Sequence, residues 1–383
     1  MKPRANADAK VIPPSRRPRQ MGFTMPAEYT THEATWLAWP HNKDDWPGKF
    51  APIPWVFAEV VRLVSRRERV EILVQNSAAQ RQVRRILERV AVDFSNVRFH
   101  QQATDRVWLR DSGAIFLQRP MDPQSGSKKL ETAASVFRFN GWAKYDNHAA
   151  DGEIAPWMAS RVNRSWNVWA PRAGAAARPF VLEGGSIDVN GDGCVLTTEE
   201  CLLSKVQQRN PGLNKAAIET ILRDFLGVEK VLWLDRGIAG DDTHGHVDDT
   251  ARFVNRTTIA ACVERDAADA NYEPLAENLR RLKKMRNSHG EPFDIVELPL
   301  PAPVIFDGQR LPASYANFYA ANVGILVPVF NDRKDALALT ALQECFPNRP
   351  IIPVYCRDLV WGLGALHCMT QQQPAPVVVH YPV

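Results

Sequence analysis

The sequence predicts an α/β protein built from repeated ββαβ-like units, and three observations carry that prediction. Helical and strand-like segments alternate along the chain. Strand-like runs that follow helices are succeeded by a polar loop and a second strand-like run. This order returns at a period of about 70 residues, the mark of units arranged in a ring or propeller whose polar loops converge on one axis.

Helices are expected over residues 58–67, 78–90, 214–226, 272–285 and 332–346. Apolar residues recur there at three-to-four spacing, as in Ile218, Ile221, Leu222 and Phe225. Gly227 and Pro347 stand where two of these patterns stop. Residues 70–74, 231–234 and 351–354 are short and rich in β-branched side chains, which reads as strand. The polar loops with their second strands span 105–117, 237–254 and 357–370. Residues 121–129 read as a surface insertion and 161–179 as an irregular loop.

With 45% hydrophobic and 23% charged residues in 383, the chain falls among soluble globular proteins, which excludes disorder, collagen and coiled coil. The net charge of +4 sits in the first twenty residues, where Lys2, Arg4, Lys10, Arg16, Arg17 and Arg19 face Asp8 alone. The rest is nearly neutral and lacks the basic stripe of a nucleic-acid binder. Pro3, Pro13, Pro14 and Pro18 mark residues 1–20 as a disordered tail. No apolar stretch follows Arg16 and Arg17, and no run reaches membrane-spanning length, so a cytoplasmic location is expected. Six cysteines are scattered singly with no CxxC pair, which disfavours a disulfide scaffold or structural zinc.

Three polar loops hold the residues that carry chemistry. The first, Asp105-Arg-Val-Trp-Leu-Arg-Asp111, sets Trp108, Arg110 and Asp111 among strand-type residues; a buried pair of Arg110 with Asp111 is its plain structural alternative. The second gathers Asp241, Asp242, His244, His246, Asp248 and Asp249, more than a solvated strand cap needs. The third, Gly362-Leu-Gly-Ala-Leu-His-Cys368, brings one cysteine to a polar strand end. A cysteine with a distant histidine and carboxylates is the pattern of a thiol nucleophile, because such partners meet in space rather than in sequence. Facing aspartates suit a planar cation with several N–H donors, which a guanidinium supplies and a neutral amide does not. Held between them, its carbon meets the thiolate, and its charge helps lower the thiol pKa.

These residues stand in segments by which the chain resembles the agmatine deiminases, within the wider guanidine-modifying (pentein) superfamily, over most of residues 21–383. The segments are Met25-Pro-Ala-Glu-Tyr with Thr35-Trp-Leu-Ala-Trp-Pro40, Val107-Trp-Leu-Arg-Asp111-Ser-Gly, Leu182-Glu-Gly-Gly-Ser186, Leu196-Thr-Thr-Glu-Glu-Cys-Leu-Leu203, Gly240-Asp-Asp-Thr-His-Gly-His-Val-Asp248, Ser314-Tyr-Ala-Asn-Phe-Tyr319 and His367-Cys-Met-Thr-Gln-Gln-Gln-Pro374. The resemblance implies one catalytic domain over 21–383, a five-bladed α/β propeller of pseudo-fivefold ββαβ repeats. It implies hydrolysis of the guanidinium of agmatine to N-carbamoylputrescine and ammonia through an amidino-cysteine intermediate, with no metal and no organic cofactor. Cys368 matches the nucleophile, His246 the general acid and base, and Asp111 and Asp248 the carboxylates that grip the guanidinium. Glu183 matches a carboxylate that orients His246 or the guanidinium. Trp108 and Asp242 match the far end of the pocket, where the substrate's ammonium is received by cation–π contact and ion pairing. The carboxylate of arginine would be repelled there. The partners implied are a small guanidine substrate and further copies of the chain, with no nucleic acid and no membrane.

Departures from the family pattern stand beside this. The run Gly362-Leu-Gly-Ala365 replaces Gly-Gly-Gly-Asn, so an amide is expected to be missing beside the nucleophile, and His244 replaces an acidic or amide residue. Rival readings remain open. His244-Gly-His246-Val-Asp248 has the look of a metallohydrolase ligand run. Arginine, peptidyl-arginine or a methylated arginine could be the substrate on the same fold, with Arg110 and Arg252 the local candidates for a carboxylate partner. A catalytically silent binding module is the third, against which the retained cysteine, histidine and aspartates speak.

Overall fold

The computed structural model describes residues 16–122, 128–162 and 167–377. The expected disorder of the tail lies outside the described residues up to position 15, as do 123–127 of the expected insertion. Residues 16–20 depart from that expectation because they find partners on the body. Arg19–Met21 forms a 3₁₀ turn, Arg17 pairs with Asp224 at 3.0 Å, and the Arg16 carbonyl accepts the Trp169 indole N–H at 2.8 Å.

The architecture is mixed α/β. Strands β1 (His32–Ala38), β2 (Arg69–Val74) and β3 (Val97–Gln101) lie parallel. Next, β4 (Ile115–Pro120) and β5 (Leu130–Ser135) form an antiparallel pair, with β6 (Val168–Trp169) parallel to β5. After a hairpin of β7 (Arg172–Ala173) and β8 (Arg178–Pro179), the order antiparallel then parallel returns in β9 (Asp188–Val189), β10 (Cys194–Thr198) and β11 (Lys230–Leu234). It returns again in β12 (Ala251–Phe253), β13 (Thr258–Val263) and β14 (Asp294–Pro299). A second hairpin, β15 (Ile305–Phe306) with β16 (Gln309–Arg310), precedes the same order in β17 (Tyr319–Ala321), β18 (Gly324–Val329) and β19 (Ile351–Tyr355). Finally β20 (Gln371–Pro374) comes back to pair antiparallel with β1, so the last strand among the described residues completes the first sheet.

Each of the five larger sheets has a parallel link, which a tight turn cannot make, and a helix supplies the crossover. Ile53–Val64 joins β1 to β2, Ile154–Val162 joins β5 to β6, Lys215–Leu226 joins β10 to β11, Tyr272–Lys284 joins β13 to β14, and Asp335–Cys345 joins β18 to β19. The third of these shows the local causes. Asn214 accepts the Ala217 N–H at the start, and Gly227 ends the helix at φ 69. Ile218, Ile221, Leu222, Phe225 and Leu226 bury one face, each worth about 1.5–3 kcal/mol. The first helix begins five residues before its expected start of 58, because Pro54 is tolerated in a first turn and Ile53 and Phe57 are buried. The stretch expected as an irregular loop over 161–179 instead ends the helix and supplies β6, β7 and β8, while its residues 163–166 lie outside the description.

A short turn precedes the first strand of each antiparallel pair. Leu109–Ser112 leads into β4, Gly184–Ser186 into β9, Val247–Asp249 into β12, a turn at Tyr315 and Ala316 into β17, and Leu366–Met369 into β20. These five equivalent places carry or adjoin Asp111, Glu183, Asp248, Asn317 and Cys368. Repetition of the unit therefore gathers side chains that lie far apart in sequence.

Candidate active site

A cavity of about 300 Å³ is lined by Trp108, Asp111, Trp142 and Cys368 together with Asp44, Asp45, Arg106, Tyr145 and Asp242. The Cys368 thiol donates to Asp248 Oδ2 at 3.6 Å, and the Asn317 side-chain amide donates to its sulfur at 3.1 Å. Asn317 Oδ1 in turn accepts the His367 backbone N–H at 2.9 Å, which fixes the turn that carries the cysteine. Ala365 brings no amide to the nucleophile, as expected; the amide that meets the sulfur is that of Asn317. Burial, reinforced by Asp248, Asp249 and Asp111, pushes the Cys368 thiol well above its ordinary range.

His246 lies among carboxylates. Its Nδ1 is 3.9 Å from Asp111 Oδ1 and 4.0 Å from Asp248 Oδ1, and its Nε2 is 3.8 Å from Glu183 Oε2. Neither ring nitrogen has a hydrogen-bond partner at ordinary range, nor do Asp248 Oδ1 and Glu183 Oε2. Burial opposes protonation of this ring, but Asp111, Cys201 and Glu183 outweigh it and hold His246 well above its usual range. Asp111 accepts the Trp142 indole N–H at 2.9 Å and the Gly185 N–H at 3.0 Å. Burial, opposed by His246 and reinforced by Asp248 and Glu183, pushes its carboxyl up to about 6. Burial would raise Glu183 too, yet Arg209, whose Nε donates to it at 3.1 Å, helps bring it down to about 2.

Gly185, the second glycine after Glu183, leaves room for this gathering. A Cβ at Gly185 would lie 2.6 Å from His246 Nδ1, 2.8 Å from Asp111 Oδ1 and 3.0 Å from Asp248 Oδ2. Gly185→Ala is therefore expected to lower kcat by about a hundredfold, the scale of a 1 Å misplacement of reacting groups, in a protein that still melts cooperatively. A steady-state assay beside a thermal melt checks this, and a near-normal kcat would contradict it.

Trp108 is buried along the same wall. A Cβ at Gly364 would stand 2.7 Å from the Trp108 ring and 3.1 Å from Cys368 Cβ, so the glycine lets the indole and the nucleophile's turn close up. Asp242 lines the cavity with its carboxylate held by Lys144 and by the Tyr145 hydroxyl, the latter at 2.7 Å. Arg106 pairs with Asp45, donates to Asn147 at 3.1 Å and stacks over Tyr145 at 4.3 Å.

Several alternatives fail on geometry. Arg110 does not pair with Asp111. It turns to Glu28 at 2.9 Å and to Gln372 at 2.6 Å, while Arg252 pairs with Glu28 and Asp188. Neither arginine lines the cavity, so neither can meet a carboxylate there. The His-x-His-x-Asp run does not converge either. His244, at φ 62, turns to Ser204 at 3.1 Å, and the buried ligand-type atoms that gather among the described residues belong to Glu183, Cys201 and His246.

Asn317, Trp142, Arg209, Glu28 and His367 escaped the sequence reading as site residues. Three of them stand in segments that carry the resemblance, but an asparagine, a glutamate and a histidine beside a stronger candidate give no separate signal. Trp142 and Arg209 lie in stretches with no pattern at all.

Known proteins resemble this chain over nearly its whole length. The Porphyromonas-type peptidyl-arginine deiminase family model matches residues 24–374. An agmatine deiminase of Pseudomonas aeruginosa (strain LESB58) is 36% identical over 382 residues, covering 95% of this chain and 98% of that one. The structure of the Enterococcus faecalis agmatine deiminase superposes with a TM-score of 0.84 at 32% identity, covering 96% of this chain and all of the other. A cysteine-to-serine variant of the C. jejuni agmatine deiminase with substrate bound gives 0.78 at 31% identity, over 92% and 96% of the two chains. The chain belongs to the Porphyromonas-type peptidyl-arginine deiminase family, alongside the agmatine deiminases.

Proposed function

We propose that the protein hydrolyses the guanidinium of agmatine to N-carbamoylputrescine and ammonia through a covalent intermediate on Cys368. The observation that carries this reading is the placement of the Cys368 thiol beside Asp248, in one cavity with Asp111, with an unpartnered His246 among the same carboxylates. Asp111 and Asp248 grip the guanidinium. Its positive charge offsets the carboxylates that hold the thiol protonated, so on binding of substrate the thiol releases its proton to solvent and becomes thiolate. Sulfur attacks the guanidinium carbon, and the C–N bond breaks as His246 gives a proton to the departing ammonia. Neutral His246 then takes a proton from water, whose oxygen attacks the amidino carbon. The C–S bond breaks, and the ureido product leaves with thiolate restored. Glu183, anchored by Arg209, orients His246.

The remote end of the substrate is assigned to Trp108 and Asp242. Four carboxylates, Asp44, Asp45, Asp111 and Asp242, line the cavity against the single guanidinium of Arg106, which is itself paired with Asp45. That balance favours a chain ending in an ammonium over one ending in a carboxylate. The substrate's amine displaces the more exposed Lys144 from Asp242. Asp242→Asn is expected to raise KM for agmatine by about tenfold while changing kcat less, since the contact is the same in ground and transition states. An unchanged KM would give the amine to another residue.

The five sheets of one order, closed by β20 on β1, support a five-bladed α/β propeller forming one catalytic domain over 21–383. Among the described residues no helix is long and apolar enough to cross a membrane. The six cysteines are unpaired, which suits the reducing cytoplasm.

Ammonia release from agmatine and from arginine, with and without a chelator, tests the reading. Activity on agmatine that survives chelation supports it. Silence on agmatine with activity on arginine would overturn the assignment of Trp108 and Asp242, and loss of activity on chelation would revive the metallohydrolase.

A further inference from the structure

His367, next to the nucleophile, is absent from the steps above, yet both of its ring nitrogens are engaged. Nδ1 lies 2.6 Å from Asp248 Oδ2 and Nε2 lies 2.8 Å from Glu28 Oε2. Each ring nitrogen thus has a carboxylate oxygen within hydrogen-bond range. Glu28 is fixed in its turn by Arg110 at 2.9 Å, Arg252 at 3.0 Å and the Ala320 N–H at 2.9 Å. The imidazole thus bridges a locked buried carboxylate and the one that faces the thiol. With Oδ2 of Asp248 taken by His367, Oδ1 is left without a partner on the side of His246.

We infer that His367 is a positioning residue, holding the Asp248 carboxylate charged and with Oδ1 free to meet the substrate's guanidinium. This rests on the functional reading above. The groups acting on Asp248 explain why such a device is needed. Asp249, Asp111 and Cys368 place negative or potentially negative charge near it, and His367, His246 and Arg252 oppose them. Burial raises the Asp248 carboxyl, and His367 is the first of the groups that outweigh burial and bring it down. Burial, reinforced by Asp248 and Asp241 and opposed by His246 and the Asn317 amide, pushes Asp249 well above the ordinary range.

Two substitutions separate orientation from charge. In His367→Asn the amide nitrogen stands near the place of Nδ1 and keeps a neutral hydrogen bond to Asp248. In His367→Gln the amide reaches toward Glu28 and leaves Asp248 unheld. Ammonia release from agmatine, measured against pH on the full chain, is expected to give KM in the order wild type, Asn, Gln, with about a tenfold rise in the Gln variant at neutral pH and a smaller change in kcat. In both variants Asp248 ionises later and joins Asp111 in setting the acid limb of kcat/KM, which moves to higher pH; the loss shrinks as pH rises. A role confined to folding predicts a loss independent of pH and no such order. Profiles superimposable on wild type, or a loss in kcat alone, would overturn the inference. Should the Gln variant fail to fold, the Asn variant carries the test through its shifted limb. A wild-type protein inert toward agmatine would instead sink the functional reading, and this inference with it.

Discussion

Replacing Cys368 by serine is expected to lower ammonia release from agmatine by about 10⁴-fold or more while the protein folds normally. The size follows from the surroundings of the sulfur. The thiol is held protonated by burial and by Asp248, Asp249 and Asp111, so reactivity depends on the charge that the substrate brings. A thiol released from that field becomes a strong nucleophile; an alcohol in the same place remains far from ionisation. Asn317, whose amide N–H points at the sulfur, can still hold a hydroxyl, so the cavity stays intact. Binding of agmatine to the serine variant by calorimetry, beside single-turnover kinetics, checks both halves of the expectation. Retained turnover within tenfold of wild type would remove Cys368 from the chemistry.

His246→Ala is expected to reduce kcat by about 10²–10⁴-fold, the range for a lost general acid and base. The pH dependence gives this prediction its sign. His246 is held well above its usual range, so it is protonated at neutral pH and ready to give a proton to leaving ammonia. A group raised in this way contributes stability below its unfolded value, and that contribution is lost as pH rises through the folded one. Activity should likewise decline on the alkaline side in the wild type, and His246→Ala should lose that limb. On the acid side, grip on the guanidinium requires an ionised Asp111, whose carboxyl is up at about 6. The wild-type kcat/KM should therefore fall as pH drops below about 6, and this limb should persist in the alanine variant. A pH–rate series on both proteins decides the matter. An alkaline limb unchanged by the substitution would give the acid role to another group.

The order of elements was legible because apolar spacing and β-branched runs report burial directly, as in 214–226 and 351–354. The start of the first helix was misplaced because Pro54 reads as a break, whereas in a first turn its missing N–H costs nothing. Strands β6 to β8 were invisible, being two residues each and too short to display a period. At the site, Cys368, His246, Asp111, Asp248, Glu183, Trp108 and Asp242 were nameable from their segments; Cys368, Asp111, Trp108 and Asp242 line the cavity, whereas Asp248 and Glu183 stand outside its lining around the buried His246. What sequence could not display was the direction of side chains. Arg110 and Asp111 are neighbours that point to opposite partners, and Asn317 reaches a cysteine fifty-one positions away.

The most direct test of the central claim is to quench the wild-type protein during turnover of agmatine and weigh its peptides. The account predicts that the peptide containing Cys368, and no other cysteine peptide, gains the mass of agmatine less ammonia, and that the gain vanishes in Cys368→Ser. Full turnover with no adduct on Cys368, or an adduct on Cys201, would contradict it.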